Sequence, residues 1–328
     1  MKTVAGIDCG TNSARLLISR VEDGHLGADV AREMRITRLG QGVDRTGVLR
    51  ADALERTFAA LRGYTRQMEE AGVEAVRVVA TSATRDAANS DDFARGVREI
   101  LGVDAEVVSG EEEARLSFRG ACTSLGDDVD APILLVDIGG GSTEFVRGSR
   151  DVSAACSMDM GSVRVYERFF ASLADESAGS MTPRSPEMAR ALREATRMID
   201  GLITEAERQV DFGRVRSLVG VAGTVTTITA HALDLDAYDP DAIDGTRLSL
   251  AQIQRSCNWL QNADVAQRRE LGFMPPGRED VIGAGALIWS RIVDRVAKAR
   301  QDEGGDIGDV VTAEHDILDG ITASVLER

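Results

Sequence analysis

The chain has 328 residues, of which 43% are hydrophobic and 4% aromatic, and its formal net charge is -16 at pH 7. This length is sufficient for two domains that each bury a core, and the aliphatic composition is typical of a globular α/β protein. The acidic charge disfavours a binder of nucleic acid or of anionic membranes, because clustered Lys and Arg hold such partners.

Cysteine usage and the N-terminal residues predict a cytoplasmic protein. The four cysteines are widely separated, without a C-x-x-C pair or a nearby His that could complete a zinc site. The first residues lack the basic region, apolar core and cleavage site of a signal peptide. No apolar stretch approaches the roughly 18 residues that a membrane span needs.

The first half of the chain opens with a strand, a tight loop and a second strand. The apolar run at residues 3–8 ends in Asp8, and Gly10-Thr-Asn-Ser13 leads into a β-rich run at 16–21. Apolar residues at helical spacing and compact apolar runs predict the later elements. Helices are predicted at 51–71, at 93–101 with Ser90 as the cap, and from Gly110, and strands at 75–80 and 106–109.

The opening motif returns after a polar turn at residues 126–130. A buried strand at 132–137 ends in Asp137, and Ile-Gly-Gly-Gly-Ser142 leads into an outgoing strand. The two copies share the Asp-x-Gly step and a Ser at the sixth position, which predicts an internal duplication. Further predictions are a strand at 217–221, helices at 185–209, 250–262, 280–300 and 314–326, and a mobile Ser-rich loop at 171–186.

Three turns rich in Gly and small hydroxyl residues favour phosphate binding. Glycine lets the backbone approach phosphate oxygens closely and offer N–H donors without a Cβ in the way. Besides the two Asp-x-Gly loops, Gly220-x-x-Gly-Thr224 forms a third such turn before a predicted helix. One turn of this kind is often structural, but three together indicate phosphate.

Three acids are candidates for a cation site. Asp137 ends an apolar strand and Glu144 lies on the next one, so both could face a cation that bridges phosphate oxygens. Asp8 is placed equivalently in the first half. The alternative is that these acids only cap turns.

The acidic run Glu111, Glu112 and Glu113 opens a predicted helix, where negative charge is favourable in any case. A general base for water needs one carboxylate at the active site, and successive helical positions differ by about 100°. Arg85 follows another strand end and is a candidate cation for a phosphate, with a surface arginine as the alternative. The remaining basic stretch of Arg32, Arg35, Arg38 and Arg45 is expected to be a solvated face, and His315 is expected to be structural.

Five segments resemble the exopolyphosphatase and guanosine pentaphosphate phosphohydrolase (Ppx/GppA) family of the sugar kinase, Hsp70 and actin superfamily. These segments are residues 7–13, 80–85, 108–116, 136–144 and 220–224. The resemblance implies two actin-like (ribonuclease H-like) α/β domains related by duplication, at 1–124 and 125–311, with an active-site cleft between them. It also implies that a closing helix at about 312–328 packs back onto the first domain.

The resemblance also implies roles for individual residues. Glu113 would be the base, with Glu112 as the second choice, and Mg²⁺ would bind at Asp137 and Glu144. Mn²⁺ is the alternative ion, and Asp8, placed equivalently in the first half, is the third predicted ligand. Phosphate and substrate contacts would come from Asn12, Ser13, Arg85, Gly139, Gly140, Gly141, Ser142, Gly223 and Thr224.

The expected function is exopolyphosphatase activity by a homodimer of the short family type, with a preference for short chains. Guanosine pentaphosphate is the alternative substrate. Rival functions are a kinase or acyl-phosphate enzyme of the same superfamily, and a non-catalytic module that binds polyphosphate or an alarmone. A filament-forming protein is a weaker rival.

Overall fold

The structure is a computed structural model that describes residues 2–125 and 129–328. It is an α/β protein with two mixed β-sheets, as the sequence predicts. The chain divides into two compact units, one of Met1–Thr123 with Asp316–Arg328 and one of Ser124–His315. The predicted polar turn at residues 126–130 lies partly outside the described residues.

The strands of the first unit are β1 (Thr3–Cys9), β2 (Ser13–Glu22), β3 (His25–Ile36), β4 (Ala75–Ala80) and β5 (Ala105–Val107). They form a sheet in the order β3-β2-β1-β4-β5. β1, β2 and β3 are antiparallel neighbours, whereas β4 and β5 run parallel to β1. The sequence did not predict β3, because this edge strand is mostly exposed and has no apolar run.

The helices of the first unit are α1 (Val43–Thr46), α2 (Ala51–Glu70), α3 (Ser82–Arg85), α4 (Ser90–Leu101) and α5 (Gly110–Ala121). α2 buries Leu54, Leu61, Tyr64 and Met68 at helical spacing, which confirms the predicted helix. The Tyr64 hydroxyl donates to the Ala14 carbonyl at 2.8 Å and ties α2 to the sheet.

Two local predictions in the first unit are wrong because side chains make other hydrogen bonds. Ser90 does not cap α4; Asn89 occupies the N-cap, and its Oδ1 accepts from the Leu49 amide at 2.8 Å instead. The strand predicted at 106–109 ends at Val107, because Ser109 is the N-cap of α5 and its hydroxyl accepts from the helix backbone.

The strands of the second unit are β6 (Ile133–Ile138), β7 (Thr143–Gly148), β8 (Val152–Met158), β9 (Ser217–Val221), β10 (Arg247–Leu248) and β11 (Val310–Thr312). Their order is β10-β11-β9-β6-β7-β8. Two antiparallel pairs join β6, β7 and β8, and β9 runs parallel to β6. The run β8-β7-β6-β9-β11 therefore repeats the strand order of the first sheet, as expected for a duplication.

The helices of the second unit are α6 (Ser162–Phe169), α7 (Ala174–Ser177), α8 (Pro186–Val210), α9 (Ala222–Ala232), α10 (Pro240–Ile243), α11 (Leu250–Asn262), α12 (Val265–Arg269) and α13 (Ile282–Asp302). A large apolar core lies against the sheet, with Phe145 and Phe212 stacked at 5.5 Å and Trp289 fully buried. The loop predicted at 171–186 is wrong in part, because α7 and a 3₁₀ turn at Ala171–Leu173 occupy its first half.

The closing helix α14 (Ile317–Ser324) packs on the first unit. It begins three residues later than predicted, because Asp316 caps it by accepting from the Leu318 amide. A Cβ at Gly320 would lie 2.0 Å from the Leu116 carbonyl oxygen, and one at Gly120 1.7 Å from that of Asp316. Only glycine permits this backbone contact between α5 and α14.

Two ion pairs also hold the closing helix. Arg15 of β2 donates to Asp316, and Arg32 of β3 donates to both oxygens of Asp319. The expectation that Arg32 belongs to a solvated face is therefore wrong, because Asp319 is almost fully buried. Among the described helices, none has the length and apolar character needed to cross a bilayer.

Candidate active site

The first loop follows Asp8 at the end of β1. The Gly10 amide donates to the Ser13 carbonyl at 2.9 Å and closes the turn. Asp8 is 4% exposed, and its Oδ2 accepts from Arg15 Nε at 3.0 Å and from a second Arg15 nitrogen at 2.8 Å. Burial raises the pKa of Asp8, although the Arg15 guanidinium opposes that shift.

The carbonyl groups of this first loop face the chain that follows β3. The Thr11 carbonyl accepts from the Gly40 amide at 2.9 Å, and the Asn12 carbonyl accepts from the amides of Thr37 and Arg38. Within residues 2–125 and 129–328, the amides of Thr11 and Asn12 donate no hydrogen bond. Two successive N–H groups in a turn can together donate to an anion.

The second loop repeats the arrangement. The Gly139 amide donates to the Ser142 carbonyl at 3.1 Å, and the carbonyls of Gly140 and Gly141 accept from the start of α6. A Cβ at Gly161 would lie 2.2 Å from the Gly140 carbonyl carbon, so the loop packs tightly on that helix. The amides of Gly140 and Gly141 donate to no acceptor in the described part of the chain, like those of Thr11 and Asn12.

A third turn leads from β9 into α9. Ala222 has a positive φ of 67°, and Gly223 and Thr224 follow it in the first turn of the helix. Because β6 and β9 are parallel, with Asp137 and Val221 in register, this turn leaves the sheet at the same edge as the second loop.

An arginine that the sequence analysis missed lies against this third turn. Arg278 donates to the Gly223 carbonyl at 2.9 Å and to the Thr227 hydroxyl at 3.1 Å. A Cβ at Gly223 would lie 2.2 Å from an Arg278 nitrogen, so glycine is required for the contact. No local motif marks Arg278 in the sequence, because it follows a Pro-Pro-Gly stretch far from any predicted phosphate loop.

Asp137 and Glu144 occupy directly paired positions on β6 and β7. Such cross-strand neighbours lie on the same face of a sheet, and both side chains are buried, at 5% and 1% exposure. Two adjacent buried carboxylates are costly unless a cation, a proton or hydrogen bonds compensate them. The pair therefore fits a divalent cation.

The described residues contain no cluster of three or more His, Cys, Asp or Glu side chains arranged for a metal ion. A cation at Asp137 and Glu144 would accordingly keep much of its water, which is the habit of Mg²⁺. The third predicted ligand, Asp8, is instead bonded to Arg15 within its own hairpin.

The three glutamates of α5 have different surroundings. Glu111 pairs with Arg115 on the exposed face, and Glu112, 43% exposed, lies 3.6 Å from Arg77. The Glu113 side chain is only 10% exposed. Glu113 is therefore the one carboxylate of this run that is held in a buried position, as a base at an enclosed site requires.

Arg85 holds Glu113 in place. One nitrogen of the Arg85 guanidinium donates to Glu113 Oε2 at 3.1 Å and to the Val108 carbonyl at 2.9 Å. The alternative of a solvated surface arginine is wrong, because Arg85 is about a quarter exposed and bridges two elements. The Thr11 and Ser82 hydroxyls are 2.9 Å apart, so the first loop and the turn that carries Arg85 are also joined.

Comparison with known proteins places this chain among phosphatases. The model of the Ppx/GppA phosphatase family matches residues 17–301. The chain is 42% identical to exopolyphosphatase 2 of Mycobacterium tuberculosis, over 98% of each protein. A solved exopolyphosphatase-like protein is similar, with TM-score 0.90, 43% identity and coverage of 98% of this chain and 97% of that one. A Ppx/GppA family member of Aquifex aeolicus gives TM-score 0.75 and 28% identity, with coverage of 98% and 97%.

Proposed function

This chain belongs to the Ppx/GppA phosphatase family, and from that membership and its paired loops we propose that it is an exopolyphosphatase. It would hydrolyse the terminal phosphoanhydride of inorganic polyphosphate and release orthophosphate. The observation that carries this proposal is the repeated Asp-x-Gly loop. In each unit, two successive amides of this loop donate to no acceptor in the described residues and can bind an anion.

Glu113 is the proposed general base. It takes a proton from a water molecule, whose oxygen attacks the terminal phosphorus. The bond between that phosphorus and the bridging oxygen breaks, and the shortened polyphosphate leaves with the electron pair. Arg85 orients the Glu113 carboxylate through the bond to Oε2.

The loops bind the phosphate oxygens in this proposal. The amides of Thr11, Asn12, Gly140 and Gly141 donate to them, and Arg278 adds a fixed positive charge beside the third turn. Further contacts are proposed for Asn12, Ser13, Arg85, Gly139, Ser142, Gly223 and Thr224.

Asp137 and Glu144 are the proposed ligands of a divalent cation, Mg²⁺ or alternatively Mn²⁺. When bound, the cation neutralises charge on the phosphate chain. Asp8 stays a predicted ligand, although its bond to Arg15 makes it the weaker candidate.

Two further properties are proposed. The four cysteines are free thiols, which suits a reducing compartment such as the cytoplasm. A homodimer follows from the family resemblance alone, and sedimentation analysis tests it.

A substrate panel tests the proposed function. Phosphate release is measured from short polyphosphate, long polyphosphate, guanosine pentaphosphate and ATP, with Mg²⁺, with Mn²⁺ and with a chelator. We expect metal-dependent release from polyphosphate, lowered about 100- to 10,000-fold in kcat by Glu113→Gln, the usual contribution of a general base. Glu112→Gln is the matched control and should retain activity.

Different results would support the alternatives. Release from guanosine pentaphosphate alone would replace the proposed substrate. Phosphoryl transfer from ATP to an acceptor would indicate a kinase, and binding of polyphosphate without turnover would indicate a non-catalytic module. A folded Glu113→Gln variant with full activity would exclude Glu113 as the base.

A further inference from the structure

A row of three polar side chains crosses the antiparallel strands of the second sheet. Asp137 on β6 is in register with Glu144 on β7, and Glu144 is in register with Ser157 on β8. Their neighbours along the strands, Phe145 and Cys156, belong to the large apolar core. Because successive side chains of a strand point to opposite faces, the polar row lies on the face away from that core.

The third member of the row is hydrogen-bonded to the second. Ser157 Oγ donates to Glu144 Oε1 at 2.7 Å, and Glu144 is 1% exposed. A bond to one carboxylate oxygen fixes the rotation of the group and therefore the direction of its other oxygen. Hydroxyl bonds to a carboxylate are among the stronger hydrogen bonds, especially away from water.

A hydroxyl occupies this third position only in the second sheet, where the other two members of the row are both acids. The corresponding row of the first sheet is Asp8, Arg15 and Met34, in the same registers. Arg15 is fixed by its bonds to Asp8, and Met34 offers no hydroxyl. Ser157 is thus found beside Glu144, whereas the equivalent position beside Arg15 is occupied by Met34.

We infer that Ser157 is a positioning residue for cation binding, because its hydroxyl holds Glu144 in the orientation that serves the metal ion. The inference rests on the proposed function, in which Asp137 and Glu144 bind Mg²⁺ or Mn²⁺. Residues that orient metal ligands from outside typically contribute about 10- to 100-fold to metal affinity or activity.

Mn²⁺ binding measured by electron paramagnetic resonance tests the inference without turnover. We expect Ser157→Ala to bind Mn²⁺ about tenfold more weakly than the unsubstituted protein, which is the lower end of that range. Ser157→Thr keeps the hydroxyl and should bind nearly normally. Ser153→Ala is the matched control on the same strand, since the exposed Ser153 hydroxyl donates to the Arg147 carbonyl.

A second measurement separates positioning from general damage. Phosphate release is followed as the Mg²⁺ concentration rises, and melting temperatures are recorded for each variant. Ser157→Ala should need more Mg²⁺ for half-maximal activity and then approach the unsubstituted kcat. A structural defect would lower activity at every Mg²⁺ concentration.

Two outcomes would overturn the inference while leaving the proposed function intact. One is an active unsubstituted protein whose Ser157→Ala variant binds Mn²⁺ with unchanged affinity. The other is a Ser157→Thr variant that is impaired as much as Ser157→Ala. If the unsubstituted protein neither binds Mn²⁺ nor releases phosphate, the proposed function fails, and the inference fails with it.

Discussion

The two hairpins that open the two units have the same strand register but differ in charge at one pair of facing residues. In the first, Asp8 is in register with Arg15, and in the second, Asp137 is in register with Glu144. Each pair flanks a turn that is closed by the same Gly-to-Ser backbone hydrogen bond. The first hairpin neutralises its carboxylate internally, whereas the second places two carboxylates side by side.

This difference shows how two copies of a duplicated hairpin can take different roles. A buried carboxylate bonded to an arginine already has its compensating charge, so it has little need of a cation. Two buried carboxylates side by side on adjacent strands repel each other, and a divalent cation would relieve that repulsion. This difference supports our proposal that the second hairpin binds the cation, whereas the Asp8–Arg15 pair of the first hairpin is structural.

Among variants that compare the two hairpins, the largest effect is expected from removing one acid of the second hairpin. Glu144→Gln should lower kcat about 1,000-fold, since a bound metal ion supplies several kcal/mol of charge stabilisation. It should also abolish Mn²⁺ binding. Asp8→Asn is the matched variant of the first hairpin and should still bind Mn²⁺. If Asp8→Asn failed to bind Mn²⁺, the proposed difference between the two hairpins would be wrong and Asp8 would be a metal ligand.

Much of this arrangement can be predicted from the sequence. The Asp-x-Gly repeat, the buried strands before it and the α5 helix are all visible, because apolar periodicity and glycine placement mark them. The repeat also led to the prediction that Asp8 is a metal ligand equivalent to Asp137. The two acids have different partners, because the residue seven positions after Asp8 is Arg15, whereas the residue seven positions after Asp137 is Glu144.

The remaining features depend on contacts between distant segments. The sequence does not indicate that Arg278 reaches Gly223, because 55 residues separate them. It equally gives no sign that Gly120 is needed for contact with the closing helix. The pairing of Ser157 with Glu144 depends on the register of β8, an unpredicted strand of small and polar residues.

The two ion pairs of Arg15, with Asp8 in the first hairpin and with Asp316 at the cap of the closing helix, should contribute strongly to stability. Arg15→Met leaves the buried Asp8 and Asp316 without their shared guanidinium, so we expect the free energy of unfolding to fall by about 3 to 5 kcal/mol. Arg35→Met is the control, because its pair with Glu33 is well exposed and should contribute under about 1 kcal/mol. Urea unfolding measures both, and equal small losses would contradict a structural role for Arg15.

The buried Asp8 should also give stability an unusual dependence on pH. Burial raises its pKa in the folded protein above the ordinary 3.8, so the folded state binds more protons than the unfolded chain. The stability from this group is complete below pH 3.8 and is lost as the pH rises through the folded pKa. Asn does not ionise, so the Asp8→Asn variant should not lose this stability as the pH rises.

Unfolding in urea at several pH values from 4 to 7 measures this effect. The stability of Asp8→Asn relative to the unsubstituted protein should rise with pH, by at most about 1.4 kcal/mol per pH unit. Asp29→Asn on the exposed face of β3 is the control and should show a flatter difference. A relative stability that falls with pH would mean that Arg15, rather than burial, dominates the pKa of Asp8.

The smallest expected effect concerns two threonines at equivalent places after β4 and β9. Thr84 is 1% exposed, and its hydroxyl has no partner in the described residues, whereas the Thr226 hydroxyl accepts from Tyr238 at 2.9 Å. Replacing an unsatisfied buried hydroxyl by a methyl group is favourable, so Thr84→Val should raise the free energy of unfolding by about 1 kcal/mol. Thr226→Val loses a hydrogen bond and should lower it by a similar amount. If both variants are destabilised when measured without substrate, the Thr84 hydroxyl is hydrogen-bonded in the free protein, and the two halves are more alike here than at their hairpins.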